Sequence, residues 1–248
     1  TPLIDVHLVN KNCPVDKITT WNDGVDNEWR EQLPKYIKQN LNVAIEKLKI
    51  SSLVLNYITS LLDENLLKNI TPTLDSIRMI KTKEELKIAK SAGKVAEAMM
   101  YAGKEAIGHD VPEYEVALAT SAAGTKKASE ILNEHYPDSR MSPNIHFLQI
   151  MASGQHLPLT HHRASNKILK YGDPVFICFC GMTNFHRFKL GFDRTFWLGE
   201  IKDQSQVKTY EVAVNSQAAA LNVLTPGVSA SSVHSAYAES IQSAGYPY

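Results

Sequence analysis

The spacing of apolar residues predicts two long helices in the middle of the chain. Thr82 is a good N-cap with Glu85 three positions later, so a helix is expected from there to about residue 106. A second helix is expected to begin at Val111-Pro112-Glu113. The predicted inner faces are Leu86, Ala89, Gly93, Ala96 and Met100 in the first helix, and Tyr114, Leu118, Ala122 and Ala123 in the second.

The rest of the second half predicts strands followed by two more helices. Residues 146–153, 174–181 and 185–198 are rich in β-branched, aromatic and other apolar residues, which favours strands. Residues 204–224 form an Ala- and Val-rich helical pattern that stops at Thr225-Pro226-Gly227. Residues 231–244 form another, which ends at Gly245.

The first 76 residues predict a small separate unit. Residues 35–50 place Leu41, Ile45 and Leu48 at helical spacing, residues 52–57 favour a short strand, and residues 63–69 favour a second helix. Pro72 interrupts the pattern over residues 71–76. This order suits the end of a small α/β domain, so the predicted domains are 1–76 and 77–248.

Composition narrows the class of protein. The chain has 248 residues, of which 44% are hydrophobic and 21% charged, an ordinary balance for a globular protein. The formal net charge is zero, so neither nucleic acid nor a membrane surface is favoured as a partner. The first residues lack the basic and apolar regions of a signal peptide, and three cysteines do not make a disulfide framework. A reducing cytoplasm is therefore expected.

Histidines and cysteines supply the candidate chemistry. His156, His161 and His162 lie in a loop rich in Gly, Pro and Ser between two predicted strands. Adjacent side chains in extended backbone point opposite ways, so His161 and His162 are not expected to share one metal. Cys178 and Cys180 would share a strand face, either as small buried hydrophobes or as thiols that need an electropositive neighbour to react.

Four stretches resemble the creatinase, aminopeptidase P and prolidase family, whose fold is called pita-bread. In chain order they are residues 77–86, residues 110–118, His161 with Lys167 and Gly172-Asp173, and Asp193-Arg194-Thr195-Phe196. The resemblance covers residues 77–248 and implies an α+β fold whose site lies between curved antiparallel sheets. It also implies a small α/β domain of the creatinase N-terminal type before residue 77, with both domains incomplete in this chain.

Two positions depart from the family's metal-binding pattern. The family's peptidases carry an Asp five residues after the Asp of the Gly-Asp pair, where this chain has Cys178. They carry another two residues before the position of Asp193, where this chain has Gly191. Neither residue supplies the carboxylate oxygen that a hard divalent ion needs, so we expect no metal and no other cofactor. The family's further His and two Glu would follow Tyr248.

The resemblance is greatest to creatinase, the family member that works without metal. His161 matches its catalytic histidine, and Asp193 matches an acidic residue that holds the substrate's guanidinium group. Arg194 offers Asp193 an alternative partner. His162 and Arg163 replace a small neutral pair, so both are expected to line a different substrate pocket. His161 and His162 are expected in an exposed loop, where replacing either would change stability little.

The resemblance implies a metal-independent hydrolase that cleaves a C–N bond of a guanidino, amidine or amide compound. Its partners would be a small-molecule substrate and a second copy of the chain in a homodimer. Two alternatives remain open at this point. One is an Xaa-Pro peptidase-like metallohydrolase with a rearranged site, and the other is a non-catalytic pita-bread module that binds peptides or proteins.

Overall fold

The structure is a computed structural model that describes residues 1–9, 15–24, 28–37, 40–137, 141–143, 150–179, 185–186 and 188–248. It divides into two compact units, Thr1–Lys87 and Ile88–Tyr248. The division falls further along the chain than residue 77 and lies inside a helix. That the first unit is a creatinase N-terminal-type domain stays a prediction.

In the residues described before Lys83, the first unit contains three α-helices and a two-stranded parallel sheet. In chain order they are α1 (Trp29–Gln32), β1 (Val43–Ile45), α2 (Ser52–Leu61), β2 (Leu67–Asn69) and α3 (Thr71–Met79). Strands β1 and β2 pair through Val43 and Leu67. Ile58, Leu62 and Leu67 form a small buried core.

Most element predictions in this unit were wrong. The described residues of the range 35–50 contain β1 and turns rather than a long helix, and residues 63–69 contain a short 3-10 turn followed by β2. Residues 52–57 lie in helix α2, because the Ser51 hydroxyl accepts a hydrogen bond from the Val54 amide and caps its start. Pro72 does not interrupt a helix. It lies in the first turn of α3, where its missing N–H would have had no helical partner.

The second unit is built on α5 (Glu113–His135) and on α4 (Lys83–Ala106), whose first five residues are counted with the first unit. The predicted cap of α4 is confirmed: the Glu85 amide donates to Thr82 Oγ1 at 3.2 Å, and the Thr82 amide donates to Glu85 Oε2 at 2.7 Å. The two helices approach closely at Gly103, where an added Cβ would lie 2.6 Å from Thr120 Cγ2. Glycine at this position therefore sets their spacing.

The inner face of α5 differs from the predicted one. Tyr114 and Leu118 are 40% and 58% exposed. The buried residues of α5 are Glu113, Val116, Thr120, Gly124, Ala128, Ile131 and Leu132. The helix thus presents small and polar residues and one carboxylate to the interior, which a search for large apolar side chains does not find.

Three antiparallel strands follow, in the order β3 (Ile150–Ser153), β4 (Pro174–Cys178) and β5 (Asp193–Trp197). Each lies within one of the predicted strand segments, but residues 189–192 of the third segment are not in a strand; residues 146–149, 180–181 and 187 of those segments lie outside the described part of the chain. Val175 and Ile177 of β4 are fully buried in the main core. Phe176 and Cys178 alternate with them and lie on the opposite face.

Helices α6 (Gln204–Val223) and α7 (Ala230–Ser243) complete the unit and confirm the predicted pair. Within the residues that the structure describes, no helix combines the length and the apolar character needed to cross a membrane. The mixture of long helices with an antiparallel sheet agrees with the predicted α+β class.

Candidate active site

One face of the three-stranded sheet brings a thiol and a carboxylate together. Cys178 of β4 lies directly opposite Asp193 of β5, and Phe176 lies opposite Thr195. Residues directly opposite in an antiparallel pair project to the same face, with Cβ atoms about 4.5–5.5 Å apart. Cys178, Phe176, Asp193 and Thr195 therefore share the face that is turned away from α4 and α5.

His161 opens onto this face. A cleft of about 470 Å³ is lined by Ala152, Leu157, Leu159, Thr160, His161, Phe176 and Cys178. His161 is exposed, whereas Cys178 is buried at the base of the cleft. The side chain predicted to exchange protons thus lies where a small molecule can reach it.

Asp193 borders a neighbouring cleft of about 480 Å³, between the sheet and the last two helices. Its lining includes Phe176, Thr195, Tyr210 and Tyr237. Phe176 lines both clefts, so His161 and Asp193 reach one continuous stretch of the sheet face. The structure therefore brings the two main predicted site residues to the same side of the sheet.

Arg194 lines the same cleft as Asp193 and also a second cleft beside Phe192. It lies opposite Ile177, its Nη1 donates to the backbone carbonyl of Asp193 at 2.6 Å, and its guanidinium lies 4.5 Å from the centre of the Phe192 ring. The alternative pairing of Arg194 with Asp193 thus takes place through the backbone. Arg163 is exposed, and its place in a substrate pocket stays a prediction.

A fully buried carboxylate at the start of α5 lies outside these clefts. Glu113 Oε1 accepts a hydrogen bond from Ser153 Oγ at 2.6 Å. Oε2 accepts hydrogen bonds from the Ser165 hydroxyl at 2.6 Å and the Ser165 amide at 3.1 Å. The backbone fixes this geometry, because the Glu113 amide donates to Lys167 O and the Tyr114 amide donates to Ser165 O. Glu113 therefore ties the helix to two loops far away in sequence.

Hydrogen bonds keep Glu113 ionised. Burial by itself would raise the pKa of its carboxyl, but the hydrogen bonds from Ser153, Ser165 and His162 outweigh burial and lower the pKa to about 2. An ion pair stands next to it: Lys167 Nζ lies 2.8 Å from Asp173 Oδ2 and donates to Ser153 Oγ at 2.9 Å.

Gly154 makes room for that ion pair. Its φ is +51°, and an added Cβ would lie 2.6 Å from Asp173 Oδ1 and 3.3 Å from Lys167 Nζ. The left-handed backbone and the lack of a side chain both favour glycine here.

His162 is held on Glu113 and not in an exposed loop as expected. Its Nε2 lies 3.0 Å from Glu113 Oε2, its side chain is only 15% exposed, and its backbone carbonyl accepts a hydrogen bond from the Met151 amide. The expectation that its replacement would change stability little was therefore wrong in its premise. Its role in substrate binding stays a prediction, and these contacts argue against that role.

Sequence reasoning missed Glu113, Ser153 and Ser165 as a cluster. An acidic residue in the first turn of a helix is ordinarily a response to the helix dipole. The partners of Glu113 lie 40 to 52 residues away in the chain, so no local pattern signals them.

The residues at the family's metal positions do not fit a centre with two hard divalent ions. Cys178 offers a buried thiol beside Asp193, and Gly191 has no side chain. Within the described residues, the group whose donor atoms come within metal-ligand range of one another is Glu113 with His156 and His162. None of these three lines the cleft of His161.

Known proteins share both sequence and fold with this chain. An agropine synthesis cyclase from Rhizobium rhizogenes is 29% identical over 73% of this chain and 45% of its own length. A creatinase from a Bacillus species is 28% identical over 60% of this chain and 34% of its own length. The chain thus spans less than half the length of either relative.

A solved Xaa-Pro dipeptidase from Bacillus anthracis superimposes with a TM-score of 0.80 over 99% of this chain and 64% of its own length, at 21% identity. This likeness confirms the pita-bread fold. The model of metallopeptidase family M24 matches residues 87–248, more than half of the chain. The chain belongs to the M24 metallopeptidase family.

Proposed function

We propose that this chain carries part of the site of a hydrolase that cleaves a C–N bond in a small nitrogenous molecule without using a metal. The observation that carries the proposal is the sheet face that joins His161, Cys178 and Asp193. It offers a titratable imidazole and a carboxylate in open clefts, at a place where the family's metal ligands have been replaced. The similarity to a creatinase supports the same class of chemistry.

His161 acts as general acid and base. It takes a proton from a water molecule as the oxygen attacks the carbon of the scissile bond. It then returns that proton to the nitrogen as the C–N bond breaks, so the proton count of the residue is restored. An imidazole suits both steps because its ordinary pKa lies near neutral pH. The exposure of His161 lets water and substrate reach it.

Asp193 binds and orients a cationic group of the substrate. Its exposed carboxylate lines the cleft, and the neighbouring Arg194 bonds to the backbone carbonyl of Asp193, so the carboxylate itself is left available to a ligand. A carboxylate binds a guanidinium or amidinium through charge-assisted hydrogen bonds, which are stronger than neutral ones. Guanidino and amidine compounds are therefore the substrates proposed.

A peptidase with a rearranged metal site is the second candidate, and the family's own description as metallopeptidases favours it. The two functions differ in one requirement. A peptidase of that kind loses its activity when its ions are removed, whereas the proposed hydrolase keeps it.

The test is a substrate screen with the full-length protein. Creatine-like, guanidino, cyclic amidine and Xaa-Pro compounds are each assayed for release of the amine product, before and after exhaustive treatment with a chelator. We expect turnover of a cationic guanidino or amidine compound that the chelator leaves unchanged. Turnover of Xaa-Pro peptides that disappears with the chelator would establish the peptidase instead. Binding of peptides without turnover of any compound would favour the non-catalytic module.

We also propose that the full-length protein is a homodimer, by likeness to creatinase. Light scattering at micromolar concentration should give twice the mass of one chain. A monomer under those conditions would contradict the proposal without affecting the assignment of His161.

A further inference from the structure

Two imidazole nitrogens lie close to the Glu113 carboxylate, and one of them makes no hydrogen bond with the described residues. His162 Nε2 lies 3.0 Å from Glu113 Oε2, and His156 Nδ1 lies 3.5 Å from Glu113 Oε1. His156 Nδ1 is buried and makes no hydrogen bond with the described residues. Two imidazole nitrogens thus converge on one carboxylate from a 3-10 turn and from the loop that follows it.

The spacing of these atoms is that of metal ligands. In a tetrahedral site with bonds of about 2.0–2.1 Å, neighbouring ligand atoms lie about 3.3 Å apart. His162 Nε2 lies 3.0 Å from one oxygen of Glu113 and His156 Nδ1 lies 3.5 Å from the other, both near that value, and one ligand atom from each of the three residues lies within 4.8 Å of the other two. The centres of the two imidazole rings lie 4.2 Å apart, and the ring planes are tilted by 40°.

The local charge favours a cation. Glu113 stays ionised, and the adjacent Lys167 is matched by Asp173 at 2.8 Å, so the surroundings carry one net negative charge when both histidines are neutral. A positive ion between the buried carboxylate and the two rings would replace the hydrogen bond between His162 Nε2 and Glu113 Oε2 with bonds to the metal.

We propose that Glu113, His156 and His162 bind one divalent transition-metal ion of the zinc class. Two imidazoles and one carboxylate suit zinc, cobalt or nickel rather than magnesium or calcium, which prefer oxygen ligands. Ser153 and Ser165 orient the carboxylate by hydrogen bonding, as partners outside the ligand set do in other metal sites.

This ion is distinct from the pair that serves catalysis in the family's peptidases. Its ligands do not line the cleft of His161, and they join the start of α5 to the loop after β3. Because the ion binds the folded arrangement of three distant segments, its binding stabilises the fold. The proposed hydrolysis does not use it.

The test measures metal binding and not activity. The full-length protein is stripped with a chelator, titrated with zinc, and loaded separately with cobalt, whose absorption spectrum reports tetrahedral nitrogen and oxygen ligands. We expect the protein to bind one zinc ion, and we expect this binding to require the residues of the cluster. Zinc should also raise the unfolding temperature. In His156→Asn and His162→Asn the affinity should fall by more than about tenfold, the loss caused by removing even an outer partner.

Matched controls separate this site from the clefts. His161→Asn changes a neighbouring histidine, and Cys178→Ser removes the thiol at the base of the cleft; both should keep the ion. Zinc that binds equally well to His156→Asn would overturn the proposal, as would zinc lost in His161→Asn or Cys178→Ser, or no zinc bound at neutral pH. His156→Asn keeps the test valid if replacement of Glu113 prevents folding, because His156 makes none of the hydrogen bonds that hold that carboxylate.

Discussion

His161 and His162 are neighbours in sequence, yet they have opposite surroundings. His161 is exposed at an open cleft above Cys178, whereas His162 is 15% exposed and lies on the buried carboxylate of Glu113. The first environment leaves an imidazole free to meet solvent and ligand. The second binds its imidazole into a network that also includes Ser153 and Ser165. The same residue type thus faces solvent at one position and is part of a buried hydrogen-bond network at the next.

The pH dependence of stability tests the structural role of the network around Glu113. The pKa of Glu113 is about 2 in the folded protein and 4.5 in its ordinary state. A depressed folded pKa contributes stability that is fully present above pH 4.5 and is lost as the pH falls toward 2. The loss should amount to about 3 kcal/mol.

Chemical denaturation of the wild type and of Glu113→Gln, both in the presence of a chelator, measures this loss of stability at low pH. The gap in unfolding free energy between the two should be wide at pH 6 and narrow steadily below pH 4.5. A gap that is independent of pH would mean that Glu113 is not an ionised, hydrogen-bonded carboxylate.

Replacing His161 tests the reactive side. His161→Ala should lower turnover of the best substrate by about 100-fold or more, the usual contribution of a positioned general acid or base. His162→Ala should keep most of the turnover of the protein that remains folded. Steady-state kinetics measures both variants, with circular dichroism as a check on folding. Near-normal turnover in His161→Ala would remove it from the chemistry and strengthen the binding-module alternative.

The same two variants should separate in the other direction when stability is measured. His162→Ala takes one donor from a buried carboxylate and should lower the unfolding free energy by about 1–3 kcal/mol. His161→Ala changes an exposed side chain and should shift it by about 0.5 kcal/mol or less. Equal losses in the two variants would contradict the contrast between the two sites.

Asp193→Asn should produce the smallest change that still distinguishes the sites. Loss of the negative charge should raise KM for a cationic substrate by about tenfold, which is about 1.4 kcal/mol. Stability should be unaffected, because the side chain is exposed. The control is a neutral amide substrate, for which KM should stay unchanged. Equal changes for the charged and the neutral compound would argue against a role in binding the cation.

How far the sequence could be interpreted differs between the two units. The cap formed by Thr82 and Glu85 and the apolar runs of β4 and β5 are local signals, and each predicted its element correctly. In the first unit the local signals are weak. Apolar spacing around Ile45 suggested a helix where strand β1 lies, since pairing with distant β2 decides the outcome.

The site divides in the same way. His161 and Asp193 stand in motifs that the sequence itself displays, so both could be named in advance. The network of Glu113 could not, because its donors come from segments that only folding brings together. The burial of Glu113 helps to decide which face of α5 points inward, so the sequence did not predict that face either.

Gly154 extends the same lesson to mutational tolerance. A Cβ atom on this residue, and so any side chain, would clash with the Asp173 carboxylate. In a saturation-mutagenesis experiment every substitution at this codon should be depleted, including alanine. The next position, Gln155, is exposed and should accept most amino acids. The ion pair beside the buried network thus depends on the absence of a side chain at Gly154.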